Sequence, residues 1–260
     1  MQVFKELGTM ALSEISLSQF YGIELDDFAH EIAILALWLV EHQMNVAFFK
    51  EFGRTNPALP LTQAGNIVQG NATRLNWGDV CPKNETDEIY ILGNPPYLGF
   101  SQQNKEQKID IVKSFGGKLK VDYITCWFIK GAEYIGDSNC KCAFVTTNSI
   151  CQGEQVILLW PLLFELDIEI FFAHQAFFWS NNAKSKAAVI CAIIGIGNKK
   201  NTSKKIIYND NIKREVNSIN AYLTSGKNIL IKRLSSPSSN LPKMSLGNSP
   251  FDGGNLILSH

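Results

Sequence analysis

Neither sign of charge dominates this chain. Lys+Arg and Asp+Glu number 24 each. That excludes contact with a polyanion through overall charge and leaves only a local patch for it. Histidine is scarce, at 4 residues, and the 6 cysteines are scattered. The closest pair, Cys140 and Cys142, has no second pair at zinc-site spacing, so no metal site is expected. The spacing does not form a disulfide framework either, and free buried thiols in a reducing cytoplasm fit it. Met1 to Glu6 lacks the basic region and apolar core of a secretory leader. The longest apolar runs, Ile32 to Val40 and Ala187 to Ile196, fall short of the roughly 20 residues that a membrane span needs. They read as core elements, and no membrane partner is expected. No internal repeat is present.

What remains is ordinary globular composition, 45% hydrophobic and 18% charged over 260 residues, enough for a substantial core. Apolar periodicity predicts a helix over Val3 to Ile15 and a strand over Phe20 to Asp26. A helix capped by Asp27 is predicted over Phe28 to Met44, with Ile32, Leu35, Ala36, Leu39 and Val40 facing the core. Residues 48 to 61 read as loop and Ile67 to Thr73 as a strand into a turn. Leu98 to Lys120 is polar, broken by Gly116-Gly117, and reads as a loop over a site. Tyr123 to Ile135 is amphipathic and Lys141 to Thr147 is a strand. Val156 to Leu163 reads as a helix shortened or broken by Pro161. Strands over Ile168 to Ala173 and Ala187 to Ile196 follow. This alternation predicts a doubly wound, mostly parallel α/β sheet. After Gly197 the texture turns Lys- and Asn-rich, and from Ser235 it is linker-like.

One stretch organises the rest. The apolar run Glu88 to Gly93 leads into Asn94-Pro95-Pro96-Tyr97. Two prolines fix the backbone there and restrict Asn94 as well. The Asn94 amide oxygen and the Pro95 carbonyl can accept hydrogen bonds from an exocyclic amine, and Tyr97 offers a flat face to a heterocycle. A bare Pro-Pro after a strand more often only ends the strand. Two further positions join it. Glu24 ends a strand, where an acid can bind ribose hydroxyls, and Asn71 follows the next strand, where its amide can meet an adenine edge or simply make a turn. Phe177-Phe178-Trp179 places Phe177 and Trp179 on one face of a strand. Core packing is the plain reading of those rings; a stacking wall for an extruded base is the other.

The order Tyr21-Gly22-Ile23-Glu24, Gly70-Asn71-Ala72, Gly93-Asn94-Pro95-Pro96-Tyr97 and Phe177 to Ala188 resembles N6-adenine-specific DNA methyltransferases. Within these, Phe-x-Trp-Ser-Asn-x-Ala over 177 to 183, followed by Lys186-Ala187-Ala188-Val189, resembles the methyltransferase region of MmeI-type restriction-modification enzymes. The resemblance implies the Rossmann-like fold of S-adenosylmethionine-dependent methyltransferases, and S-adenosylmethionine as cofactor. It implies Asn94, Pro95, Pro96 and Tyr97 as the catalytic group, Tyr97, Phe177 and Trp179 as stacking residues, and Glu24, Asn71 and Asn94 on the cofactor. Double-stranded DNA is the implied partner.

The family also places a strand and a glycine-rich cofactor loop ahead of the helix expected at Val3. No such loop lies upstream of Phe4, so the fold is expected to be incomplete at its N-terminus. Residues 1–200 are expected to form the methyltransferase domain. Residues 201–260 are expected to be a linker and the start of a target-recognition region. The missing N-terminal and target-recognition portions would be partners. Two other readings stay open: methyl transfer to cytosine N4 or a protein glutamine, and an inactive or split-enzyme fragment that binds DNA or a partner piece.

Overall fold

The structure is a computed structural model that describes residues 15–53, 65–84, 86–179, 189–201 and 204–231. The expected helix over Val3 to Ile15 lies almost entirely outside the described residues. Two hydrogen-bonded sheets are present. In the first, β1 (Tyr21–Glu24) pairs in parallel with β2 (Asn66–Gln69), Glu24 opposite Gln69. The second has six strands in the order β3-β4-β6-β5-β7-β8. These are β3 (Tyr90–Gly93), β4 (Lys141–Thr147), β5 (Ile168–Trp179), β6 (Val189–Asn198), β7 (Lys205–Asn209) and β8 (Ile212–Val216).

The sheet is mixed. β3 with β4 and β5 with β7 run parallel, as the alternation of elements predicts. β6 is antiparallel to both of its neighbours, and β7 and β8 form a hairpin. That hairpin corrects the expectation of an irregular linker after residue 200, because the sheet continues through Val216. The Lys-rich sequence there suits a half-exposed edge, where charge discourages pairing with other chains.

Helix α1 (Asp27–Phe52) joins β1 to β2. Asp26, and not Asp27, caps it by accepting from the Ala29 amide at 2.9 Å. It ends at Gly53, whose φ of 66° is left-handed. It thus runs through the segment expected to be loop from residue 48. At 26 residues, its length and composition are those of a helix able to cross a membrane. The apolar runs taken separately did not show that. As a crossover, though, it lies along its own sheet, and His30 Nε2 sits 3.2 Å from the Ile67 carbonyl. The face turned to the sheet carries Ala33, Ile34, Leu37 and Trp38, which are half-buried. Ile32, Leu35, Leu39 and Val40, expected in the core, are exposed. Apolar residues surround this helix, so periodicity alone does not select the buried side.

Helix α2 (Lys105–Phe115) replaces the polar loop expected over Leu98 to Lys120. Asn104 accepts from the Gln107 amide at 2.9 Å and Gln107 returns the bond to Asn104 at 3.0 Å, a full capping box. Gly116 closes the helix at φ 67°. Helix α3 (Thr125–Ile135) is as expected. Helix α4 (Gly153–Glu165) runs straight through Pro161. Proline inside a helix costs about 3 kcal/mol, and burial of Val156, Leu159, Trp160 and Leu163 on either side of it offsets that cost.

The core gathers between α3, α4 and the sheet. Phe128 lies 5.3 Å from Phe144 and 6.0 Å from Trp160, ring centre to ring centre. All three are fully buried, and Trp160 Nε1 donates to the Ile150 carbonyl at 2.8 Å. All six cysteines are free, five of them buried, and burial pushes the Cys126 thiol up to about 11. Among the described residues no three His, Cys, Asp or Glu side chains converge as a metal site would require.

Removing the central ring tests this packing. Phe128→Ala is expected to cost about 3–5 kcal/mol in urea denaturation, whereas Ile212→Thr, on the exposed edge strand β8, should stay within about 0.5 kcal/mol.

Candidate active site

Gly93 ends β3 opposite Phe144 of β4. A Cβ on Gly93 would stand 3.3 Å from the Phe144 ring, so glycine lets the strand end seat closely on the core. The chain then turns outward: Asn94 is exposed, Pro95 buried and Tyr97 half-buried. The Tyr97 hydroxyl donates to Asn94 Oδ1. This bond uses one lone pair of the amide oxygen and leaves it a second. The Tyr97 hydroxyl also lies against the Cys191 thiol of β6. Burial, with a smaller contribution from Cys191, pushes the phenol up to about 12. The donor therefore keeps its proton well past the ordinary tyrosine range.

The segment after Tyr97 is clamped at one carbonyl. Leu98 O accepts from the Tyr123 amide at 2.9 Å and from Gln103 Nε2 at 3.0 Å. Gln103 Nε2 also reaches Val121 O at 2.8 Å, and its side chain is buried. Tyr123 extends the clamp. Its hydroxyl donates to Asp110 Oδ2 at 2.9 Å and lies 3.4 Å from Thr73 Oγ1. Asp110 is 2% exposed. Arg74 grips its carboxylate through Nε at 2.8 Å and Nη2 at 3.2 Å. The Asp110 carboxylate raises the Arg74 pKa further, with Glu106 adding to it. A buried carboxylate without such a partner is strongly destabilising. This polar chain ties the turn after β2 to the corner after β3.

Glu24 and Asn71 stand where the sequence places them, at the ends of the neighbouring strands β1 and β2. Glu24 Oε1 is held by the Leu25 amide at 2.9 Å and more loosely by the Asp26 amide at 3.4 Å. Asn71 Oδ1 accepts from the Thr73 amide at 2.9 Å and from Thr73 Oγ1 at 2.7 Å. A backbone N–H requires an acceptor, so the orientation of this amide is fixed, with its NH₂ group on the side of the Tyr123 hydroxyl.

Phe177 and Trp179 lie in β5 with ring centres 6.3 Å apart. The pairing of β5 with β6 shifts register between His174 and Phe177, and such bulges re-aim side chains next to sites. Phe177 then pairs with Cys191, which also pairs with Thr147 at the end of β4. Tyr97 and Phe177 thus meet the same residue, Cys191, one through its thiol and one through its strand register. Phe177 packs edge-on to His174 at 5.0 Å, and His174 stacks on Tyr208 at 6.2 Å. The part of the aromatic motif over 180–188 lies outside the described residues.

Sequence reading missed Cys191, Tyr123, Gln103 and Thr73. Cys191 lies within a strand that reads as a core element, and Tyr123 reads only as the start of an amphipathic helix. The clue for Gln103 was its place between the motif and a capping box at Asn104 and Gln107, which a loop assignment hid.

The Tyr97 environment sets a pH dependence. A phenol held above its unfolded value contributes stability that is complete below about pH 10 and is lost as pH climbs towards 12. Ultraviolet titration of the wild type against Tyr97→Phe should show one tyrosine ionising near 12. A difference spectrum centred on pH 10 would remove this reading.

Comparison with known proteins places this geometry. Residues 1–209 match the family described as MmeI, DNA-methyltransferase domain. DNA methyltransferase A of Bacillus subtilis (strain 168) is 48% identical over 250 residues, 94% of this chain and 28% of that protein. The solved structure of the Type IIL restriction-modification enzyme MmeI in complex with DNA superposes with a TM-score of 0.84 at 42% identity, over 94% of this chain and 34% of that one. The chain therefore spans about a third or less of the length of these relatives. The α/β sheet, with Asn94 to Tyr97 leaving the end of β3, is the MmeI methyltransferase fold, and the chain belongs to the MmeI DNA-methyltransferase domain family.

Proposed function

We propose that this chain carries the methyl-transfer site of an MmeI-type, adenine-specific DNA methyltransferase, which modifies N6 of an adenine turned out of the duplex. The observation that carries the reading is the Tyr97 hydroxyl holding Asn94 Oδ1 at the end of β3, beside the strand partner of Phe177. S-adenosylmethionine, when bound, supplies the electrophilic methyl group. Glu24 Oε2 suits a ribose hydroxyl, and an N–H of the Asn71 amide suits a ring nitrogen of the cofactor adenine.

The remaining chemistry belongs to the protein. An exocyclic amine conjugated to its ring is a poor nucleophile. Asn94 Oδ1 and the Pro95 carbonyl accept its two hydrogens and draw the nitrogen towards a tetrahedral shape, which frees its lone pair. Positioning and fixed dipoles accomplish this without a covalent intermediate. Tyr97 and Phe177 stack on the extruded base, and Trp179 extends that wall. Stacking of this kind returns about 1–3 kcal/mol per base, against an extrusion cost of a few kcal/mol. Double-stranded DNA is the partner in this reading.

A second reading draws on the sheets. The Lys141 amide donates to Ile89 O, so by alternation Tyr90 and Leu92 direct their backbone groups away from β4. They are 60% and 79% exposed. In the same way β1 turns Phe20 O and Glu24 O towards β2, leaving Tyr21 and Ile23 on its other edge. A strand from polypeptide other than residues 15–231, lying between β1 and β3, would join Glu24 and Asn94 into one site. In that case the chain acts together with the remaining portions of a longer or split enzyme. Calorimetry separates the readings. Heat on adding S-adenosylmethionine to the chain alone supports the first. Heat only after adding the flanking segments of the Bacillus subtilis relative supports the second.

Asn94→Ala should lower labelled-methyl transfer to a mixed DNA pool by about 10²–10³-fold with an unchanged melting temperature. Retained activity in that variant would exclude the assigned site.

A further inference from the structure

A cavity of about 270 Å³ opens at the ends of β4 and β7, beside the register shift within β5, lined by Asn148, Gln175, Ala176, Asn209, Tyr222 and Leu223. None of these six residues is charged. The cavity has a built wall. Gln175 Nε2 donates to the Leu223 carbonyl at 2.8 Å. Leu223 is 3% exposed and sits at φ 58°, a left-handed conformation that a bulky residue adopts only when its surroundings impose it. Asn220 imposes it here: its carbonyl takes the Leu223 amide at 2.9 Å, and its Oδ1 takes the Tyr222 and Thr224 amides at 3.0 and 3.1 Å.

The cavity adjoins the site already described. Asn148 directly follows Thr147, the strand partner of Cys191. Ala176 lies inside the register shift that precedes Phe177. Among the described residues, the side-chain amides of Asn148 and Asn209 and the Oε1 of Gln175 find no hydrogen-bond partner. Each primary amide offers a donor and an acceptor. Amides read the edges of bases, whereas phosphates are held by arginine and lysine. The volume lies just below the range of small-molecule sites, which suits one heterocycle.

We propose that this cavity is a second nucleobase subsite, which takes the base next to the target on the same DNA strand through the amides of Asn148, Gln175 and Asn209. The inference rests on the DNA-methyltransferase reading above. It would let the protein hold the strand beside the extrusion, with the neighbouring base fixed while the target enters the corner at Asn94.

The test is a ¹⁵N NMR titration of the whole chain that follows side-chain amide signals. The probes are the four deoxynucleosides, the dinucleoside monophosphates that join deoxyadenosine to each of them, and inorganic phosphate. The expected result is that nucleosides move the Asn148, Gln175 and Asn209 signals while phosphate does not. A dinucleoside should move these and the Asn94 signal together, at a concentration at least tenfold lower. Asn148→Leu with Asn209→Leu should abolish the shift of the remaining Gln175 signal and leave that of Asn94. Asn94→Ala should leave the first set intact. Shifts at Asn94 without shifts at the three amides would remove the subsite while the proposed function stands. Movement with phosphate alone, or dinucleosides no tighter than nucleosides, would overturn the same-strand assignment.

Discussion

Phe144 is the side chain on which the two halves of the site are aligned. Its ring is fully buried against Phe128, which in turn packs on Trp160. It stands opposite Gly93, the last residue before the Asn94 corner. Three residues further along the same strand, Thr147 stands opposite Cys191, the partner of Phe177. β4 is therefore the ruler against which the Asn94 corner and the Phe177 ring are both set. Rigid interior packing is what makes such a ruler possible, since a core at crystal-like density passes small displacements on instead of absorbing them.

On this frame the polar groups divide their tasks. Tyr97 tethers the Asn94 amide through its hydroxyl. Leu98 O, held by Tyr123 and Gln103, keeps the chain after the motif from drifting. Tyr123 passes that restraint through Asp110 to Arg74 and the turn that holds Asn71. A site whose members come from four strand ends needs cross-links of this kind, because the loops that carry function have little packing of their own.

Much of this was legible in the sequence. Strand β4 matches its predicted bounds, and Asn94, Glu24 and Asn71 stand at strand ends as read. Local signals suffice there: an apolar run, then a proline or a polar turn. The failures share one cause, which is that tertiary context selects among local options. Helix α1 is apolar all round, so nothing local says which face meets the sheet. Pro161 is a helix breaker that four buried neighbours outweigh. Residues 205–216 read as linker because lysine and asparagine mask a short hairpin that only its pairing with β5 explains. Cys191 carries no chemical signal in the sequence, yet it is the residue on which Tyr97 and Phe177 converge.

The identity of the acceptor atom is the most direct test of the account. DNA incubated with the protein and labelled S-adenosylmethionine should be digested to nucleosides and separated. The proposed function predicts label in N6-methyldeoxyadenosine. Label in N4-methyldeoxycytidine, or in protein glutamine with none in DNA, would contradict it.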